Sequence, residues 1–221
     1  MNWWVATFWE MDPMFLVAWV FWVIASICLH ELAHGWAAIR QGDDTPIHTG
    51  HMTWNPMVHM GGTALILFAI FGFTYGAMPV DPSRFRSRYG DAFVAAAGPL
   101  CNLLQFGTLM TALILWVSFG SGLDPTFFKN MQTFLFVGCA INLLGFLFNL
   151  IPVPPLDGWR IASDFSRAYA SLWQGEKGAV IGLIAFTLLF LFGGRYVFSF
   201  VLATTVIVRD IGVTLLSPLV P

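Results

Sequence analysis

Apolar residues gather into long runs near residues 14–39, 62–79, 92–119, 131–151, 179–193 and 196–216, and polar residues fall mostly in the short stretches between them. A helix needs about 20 apolar residues to cross a bilayer, so the pattern predicts an all-α polytopic membrane protein with about five to six membrane segments. No unit of about 20–50 residues recurs, which sets solenoid architectures aside.

Cations in the connecting stretches orient such a chain, because short cytoplasmic loops carry an excess of Lys and Arg. Arg84, Arg86 and Arg88 form the densest cluster and place their loop in the cytoplasm, while Glu10 and Asp12, with no cation beside them, favour an outside N-terminus. The first run then passes inward, residues 92–119 outward and 131–151 inward, so His34 and the chain after Ile151 reach the same cytoplasmic side. That parity holds only if residues 62–79 do not cross. They are therefore expected to form a re-entrant or hairpin segment, shielded by protein as non-spanning backbone at membrane depth must be.

Composition sharpens the class. The chain has 221 residues, 57% of them hydrophobic and 10% charged, with a mean hydropathy of +0.74, a balance that the surface of a soluble domain could not cover. Net charge is −2, so no basic field suggests nucleic acid. No linker, charge run or low-complexity tract divides the sequence, which reads as one domain over 1–221 with a core at 14–163 and C-terminal membrane segments at 179–216. Cys28, Cys101 and Cys139 lie in apolar runs without CxxC spacing and read as small buried apolar side chains. Met1 to Pro13 lacks the basic start of a signal peptide, and Trp3, Trp4, Phe8 and Trp9 look like an interfacial aromatic anchor.

Against this background His30-Glu31-Leu32-Ala33-His34 stands out, because ionisable groups at membrane depth are costly and mark function. On a helix the two imidazoles share a face, where both can ligate a divalent metal, zinc first. Glu31 is turned roughly 100° from His30 and can reach a water at the metal. A catalytic zinc site usually takes three protein ligands, and the best third candidate is Asp157 in Asn149-Leu150-Ile151-Pro152-Val153-Pro154-Pro155-Leu156-Asp157-Gly158. Its three prolines must stop the helix and are expected to leave an extended stretch that projects the carboxylate, with Gly158 allowing a turn or close approach just after it.

HELAH on one membrane helix with NLIPVPPLDG on a later one resembles the site-2 protease family of intramembrane zinc metalloproteases. The resemblance implies His30, His34 and Asp157 as zinc ligands, Glu31 as the base that activates water, and a site within the membrane near its cytoplasmic side. It also implies that Asn149, eight positions before the aspartate, acts near the substrate backbone or the developing oxyanion. Asn55-Pro56-Met57-Val58-His59 and Ala97-Gly98-Pro99-Leu100-Cys101-Asn102 are similar to the NPLxH and AGPxxN stretches of the compact prokaryotic branch, so the likeness covers about residues 28–163 and implies the cytoplasmic (inner) membrane of a prokaryote. One departure is plain: that branch continues His-x-Asp-Pro, whereas His59 is followed by Met60, Gly61 and Gly62. On length, none of the PDZ or CBS domains of some relatives is expected.

The resemblance implies a transmembrane protein as substrate, with its helix locally unwound, because helical hydrogen bonds otherwise shield the scissile bond. The polar loop 42–62, with its Gly and Pro residues, is expected to be hairpin-like and to offer an edge strand to that extended peptide. Its His48, His51 and His59 read as solvated or satisfied loop histidines. Gly98 and Pro99 are expected to mark a helix start or kink, and Asn102 and Asn142 to be interhelical hydrogen-bond partners. The chief rival is a protease-derived, non-catalytic scaffold subunit of a larger membrane complex; the intact Glu31 speaks against it. A metal transporter would need further intramembrane carboxylates or histidines along a path, and the sequence holds none.

Overall fold

The computed structural model describes residues 3–120 and 122–219. Among the described residues, four helices are long and apolar enough to cross a membrane: α2 (Pro13–Gln41), α5 (Gly90–Phe119), α6 (Pro125–Asn149) and a continuous helix over Gly175–Leu219. The starts of α2 and α6 are written in the sequence. Asp12 and Asp124 accept from the amides of Met14 and Phe127, each followed by a proline at the first helical position, which satisfies an orphan donor where proline needs none. Gly42, at φ 98°, ends α2 in a left-handed turn.

Helices α2, α5 and α6 pack together as the centre of the bundle. Ala18 and Val23 of α2 meet Val137 and Ile141 of α6, and Met110 and Leu113 of α5 meet Cys139 of α6. The two C-terminal runs, expected as separate segments, form one helix instead: α9 (Gly175–Leu188) passes through a π-helical turn (Leu189–Gly193) into α10 (Gly194–Leu216). Only Gly194 and Arg195 separate those runs, and without a proline or polar stretch nothing obliges the ladder to break.

Residues 56–81 behave as the parity argument requires. A short helix, α4 (Pro56–Phe71), is capped by Asn55 and bent at Gly61, whose φ of 63° and ψ of 176° suit glycine alone. Its far end is held by three indole donors: Trp3 and Trp4 both donate to Ala69 O, and Trp19 donates to Gly72 O. The chain then returns without helix or strand, and the Asp81 amide donates to Asp43 Oδ2 at 2.7 Å while the Arg86 amide donates to Gln41 O at 2.9 Å. The hairpin thus leaves and rejoins the bundle at the C-terminal end of α2. Sixteen helical residues rise about 24 Å; residues 73–80 must retrace most of that height, which near-extended chain at about 3.3 Å per residue achieves.

Three further expectations change. Loop 42–62 supplies no edge strand; it contains α3 (Thr45–His48), turns and the start of α4, and no strand occurs among the described residues. Of the start or kink expected at Gly98 and Pro99, the start is ruled out, because both lie inside α5. Of the N-terminal aromatics on and just before α1 (Trp4–Met11), Trp3 and Trp9 are exposed as an interfacial anchor would be, whereas Trp4 packs 5.7 Å from Phe68. The cysteines are free, as expected.

Candidate metal centre

The Nε2 atoms of His30 and His34 stand 2.9 Å apart, and Asp157 Oδ2 lies 3.1 Å from the first and 3.3 Å from the second. Donors around a tetrahedral zinc with bonds of about 2.0–2.1 Å stand about 3.3 Å apart, so the three atoms have the spacing of a zinc ligand set. Asp157 Oδ2 is also buried with no hydrogen-bond partner, which is costly unless a cation satisfies it. The donor set of two imidazoles and one carboxylate suits zinc.

Each imidazole is oriented from behind. His34 Nδ1 donates to Val94 O at 2.7 Å and His30 Nδ1 to Asn102 Oδ1 at 2.6 Å, with both acceptors on α5. With Nδ1 protonated, the lone pair of each ring is left on Nε2, facing the common point. α5 approaches closely because residue 98 is glycine: a Cβ there would lie 2.4 Å from His34 Nε2 and 2.5 Å from His30 Nε2.

Asp157 arrives differently from the sequence expectation. The prolines do end α6, but residues 150–156 form turns, and Asp157 opens a new helix, α7 (Asp157–Phe165). A carboxylate in a first helical turn is favoured by the backbone dipole. α7 is fastened to the start of α5, where Asp164 Oδ2 accepts from the Ala92 amide at 2.8 Å and Arg160 pairs with Asp91. Gly158 permits the tight approach expected of it, since a Cβ there would meet Leu150 O at 2.3 Å. Burial opposes ionisation of Asp157, and the positive charge and hydrogen bonds of His34 and His30 in their protonated form outweigh it, holding the carboxyl well below the usual carboxylate range.

Glu31 is buried and accepts no hydrogen bond among the described residues, while Gly76 of the returning segment lies against it; a Cβ at residue 76 would sit 2.7 Å from Glu31 Oε1. Asn149 closes α6, donates to Gly145 O at 3.0 Å, and makes no hydrogen bond to Glu31, His30, His34 or Asp157. The loop histidines stay outside this group: His48 pairs with Asp44, His51 Nδ1 bonds Thr49, and buried His59 donates to Thr53 O. Sequence reasoning missed Gly76 and residues 73–80, whose apolar composition hides them within a membrane run.

Comparison with known proteins agrees with this geometry. Over 173 residues the chain is 37% identical to "Putative zinc metalloprotease YwhC" of Bacillus subtilis, a match that covers 76% of this chain and 77% of that protein. The chain belongs to the site-2 protease family. This site-2 protease is also 30% identical over 149 residues to "Putative zinc metalloprotease Rip2" of Mycolicibacterium smegmatis, and 27% identical over 146 residues to Rip2 of Mycobacterium tuberculosis; each match covers 62% of the chain and 52% of the relative. No family model matches the chain, and no solved structure does.

Proposed function

We propose that this site-2 protease is an intramembrane zinc endopeptidase that hydrolyses peptide bonds of transmembrane proteins, with His30, His34 and Asp157 holding the metal. The observation that carries the reading is the convergence of those three side chains, two from one helix and one from far along the chain, to within 3.3 Å. Bound zinc would supply the Lewis acid that brings a water's pKa toward neutrality and polarises a carbonyl. Glu31, with no donor on its carboxylate among the described residues, accepts the water's proton and passes it to the leaving amine. Asn149, whose Oδ1 takes no donor among the described residues, contacts the substrate backbone near the scissile bond. The Arg84–Arg88 loop and the C-terminal end of α2 face the cytoplasm of a prokaryote, and the substrate enters from the bilayer.

Residues 73–80 hold the substrate as an extended chain. Along this segment the only backbone hydrogen bond among the described residues runs from the Ala77 amide to His59 O at 2.9 Å. Backbone so poorly paired is costly at membrane depth and makes an edge for strand addition. Backbone groups alternate in direction along an extended chain. With Ala77 turned toward α4, the groups of Thr74, Gly76 and Met78 form the free edge, beside Glu31. Thr74→Pro is expected to suppress cleavage of a model transmembrane substrate, while Thr74→Val and Tyr75→Pro preserve it. Equal loss in Tyr75→Pro and Thr74→Pro would contradict strand addition.

The reading as a whole is tested by comparing wild type with Glu31→Gln for cleavage of a labelled transmembrane helix, with zinc measured by elemental analysis. The expected result is equal zinc content and cleavage reduced by about 10²–10⁴-fold in the variant. Zinc present with no cleavage in either protein would overturn the reading in favour of the scaffold subunit.

A further inference from the structure

Behind His30 lies a buried cluster that zinc coordination alone does not require. Ser26 of α2, Asn102 of α5 and Asn142 of α6 are 4%, 1% and 0% exposed. Their hydrogen bonds run in one direction. Asn142 Nδ2 donates to Gly138 O at 2.9 Å, which leaves Asn142 Oδ1 as the acceptor for Ser26 Oγ at 3.0 Å and Asn102 Nδ2 at 3.1 Å. Asn102 Nδ2 gives its second hydrogen to Ser26 Oγ at 2.8 Å. Asn102 Oδ1 is thereby the atom turned to His30 Nδ1.

The two ends of a carboxamide are alike in shape and opposite in polarity, so only the partners decide which way it points. Turning Asn102 over would set its NH₂ against His30 Nδ1 and its oxygen against Asn142 Oδ1, an acceptor facing an acceptor. Turning Asn142 over as well would set its oxygen against Gly138 O. A backbone carbonyl within a helix cannot turn, so Gly138 fixes the polarity of the whole chain. In a site closed to bulk water no solvent molecule relieves a reversed link, and each mismatch carries the full cost of a buried unsatisfied group. His34 meets the same need directly, through the fixed carbonyl of Val94.

We infer that Asn142 and Ser26 are positioning residues that set the tautomer of His30 through Asn102, keeping Nε2 bare for the metal. The inference rests on the metal-ligand reading above and goes beyond it by giving a role to residues that touch neither zinc nor substrate. Removing an outer-shell partner of a metal-bound histidine typically weakens metal affinity by about 10–100-fold.

The test is zinc affinity, measured on the full chain in detergent by competition with a chelator, together with the ¹⁵N–¹H signal of His30 Nδ1 in zinc-loaded, histidine-labelled protein. Asn142→Leu, which fills the space without polarity, is expected to lower affinity by about 10–100-fold and to expose the Nδ1 proton to exchange. Asn142→Asp, carrying a proton in this buried site so that one oxygen donates to Gly138 O while the other accepts from Asn102 and Ser26, is expected to retain affinity and a protected proton. Should Asn142→Leu not fold, Ser26→Ala carries the same expectation with a smaller fall. Equal losses in Asn142→Asp and Asn142→Leu, or wild-type affinity in Ser26→Ala and Asn142→Leu, would overturn the inference. A wild-type chain that takes up no zinc would refute the metal reading instead.

Discussion

At the scale of single residues, the site depends as much on what is missing as on what is present. His30, Glu31 and His34 are legible because polar side chains are scarce in an apolar run, and their spacing places two ring nitrogens on one helical face. Gly98 is not legible in this way: the sequence shows a glycine beside a proline, but only the packing of α5 on α2 shows that its bare Cα faces both ring nitrogens. Gly98→Ala is therefore expected to abolish stoichiometric zinc binding, since its methyl would lie within 2.5 Å of each Nε2. Elemental analysis of the purified variant reads this directly, and full zinc occupancy would show that α5 can shift aside. Asn102 and Asn142 were legible as interhelical partners, yet the direction of their hydrogen bonds, which gives them meaning, depends on a helix backbone that the sequence does not position.

At the scale of elements, charged loops decide where the helices meet. Asp43 follows the end of α2, is fully buried, and accepts from Thr45 and from the Asp81 amide, tying the start of the re-entrant hairpin to its return. Burial opposes ionisation of Asp43, and the hydrogen bonds from Thr45 and Asp81 outweigh it, so its carboxyl lies below the ordinary range. A carboxyl lowered on folding stabilises the fold above its unfolded pKa of about 3.9, and that contribution fades as pH falls through the lower folded value. Asp43→Asn is expected to cost about 1–3 kcal/mol near neutrality, with the gap in melting temperature between variant and wild type narrowing below about pH 4. A gap that widened on acidification would reverse the assignment. The capped starts of α2, α4 and α6 carry a plain sequence signal, Asp-Pro or Asn-Pro before an apolar run. The new helix at Asp157 did not, because three prolines in sequence point to an extended exit rather than to tight turns.

At the scale of the whole molecule, counting charged loops pointed to a hairpin at 62–79 before any contact was known. Only a non-crossing 62–79 reconciled the arginine cluster with the helix order, and the chain does leave and rejoin the bundle at the end of α2. What hydropathy could not separate is helix from extended chain within one apolar stretch, so residues 73–80 were read as part of a membrane run and the edge strand was sought in the polar loop before them. The same blindness split Gly175–Leu219 into two segments. All of this architecture serves one meeting: α2 supplies a pair of imidazoles, α5 orients them, and α7 returns a carboxylate to close the set. X-ray absorption at the zinc edge of the purified chain tests that meeting most directly. The account predicts two imidazole nitrogens at about 2.0–2.1 Å with oxygen neighbours at about 2.0–2.2 Å, reduced to imidazole and water in Asp157→Ala; sulfur at about 2.3 Å, or a spectrum unchanged by that substitution, would contradict it.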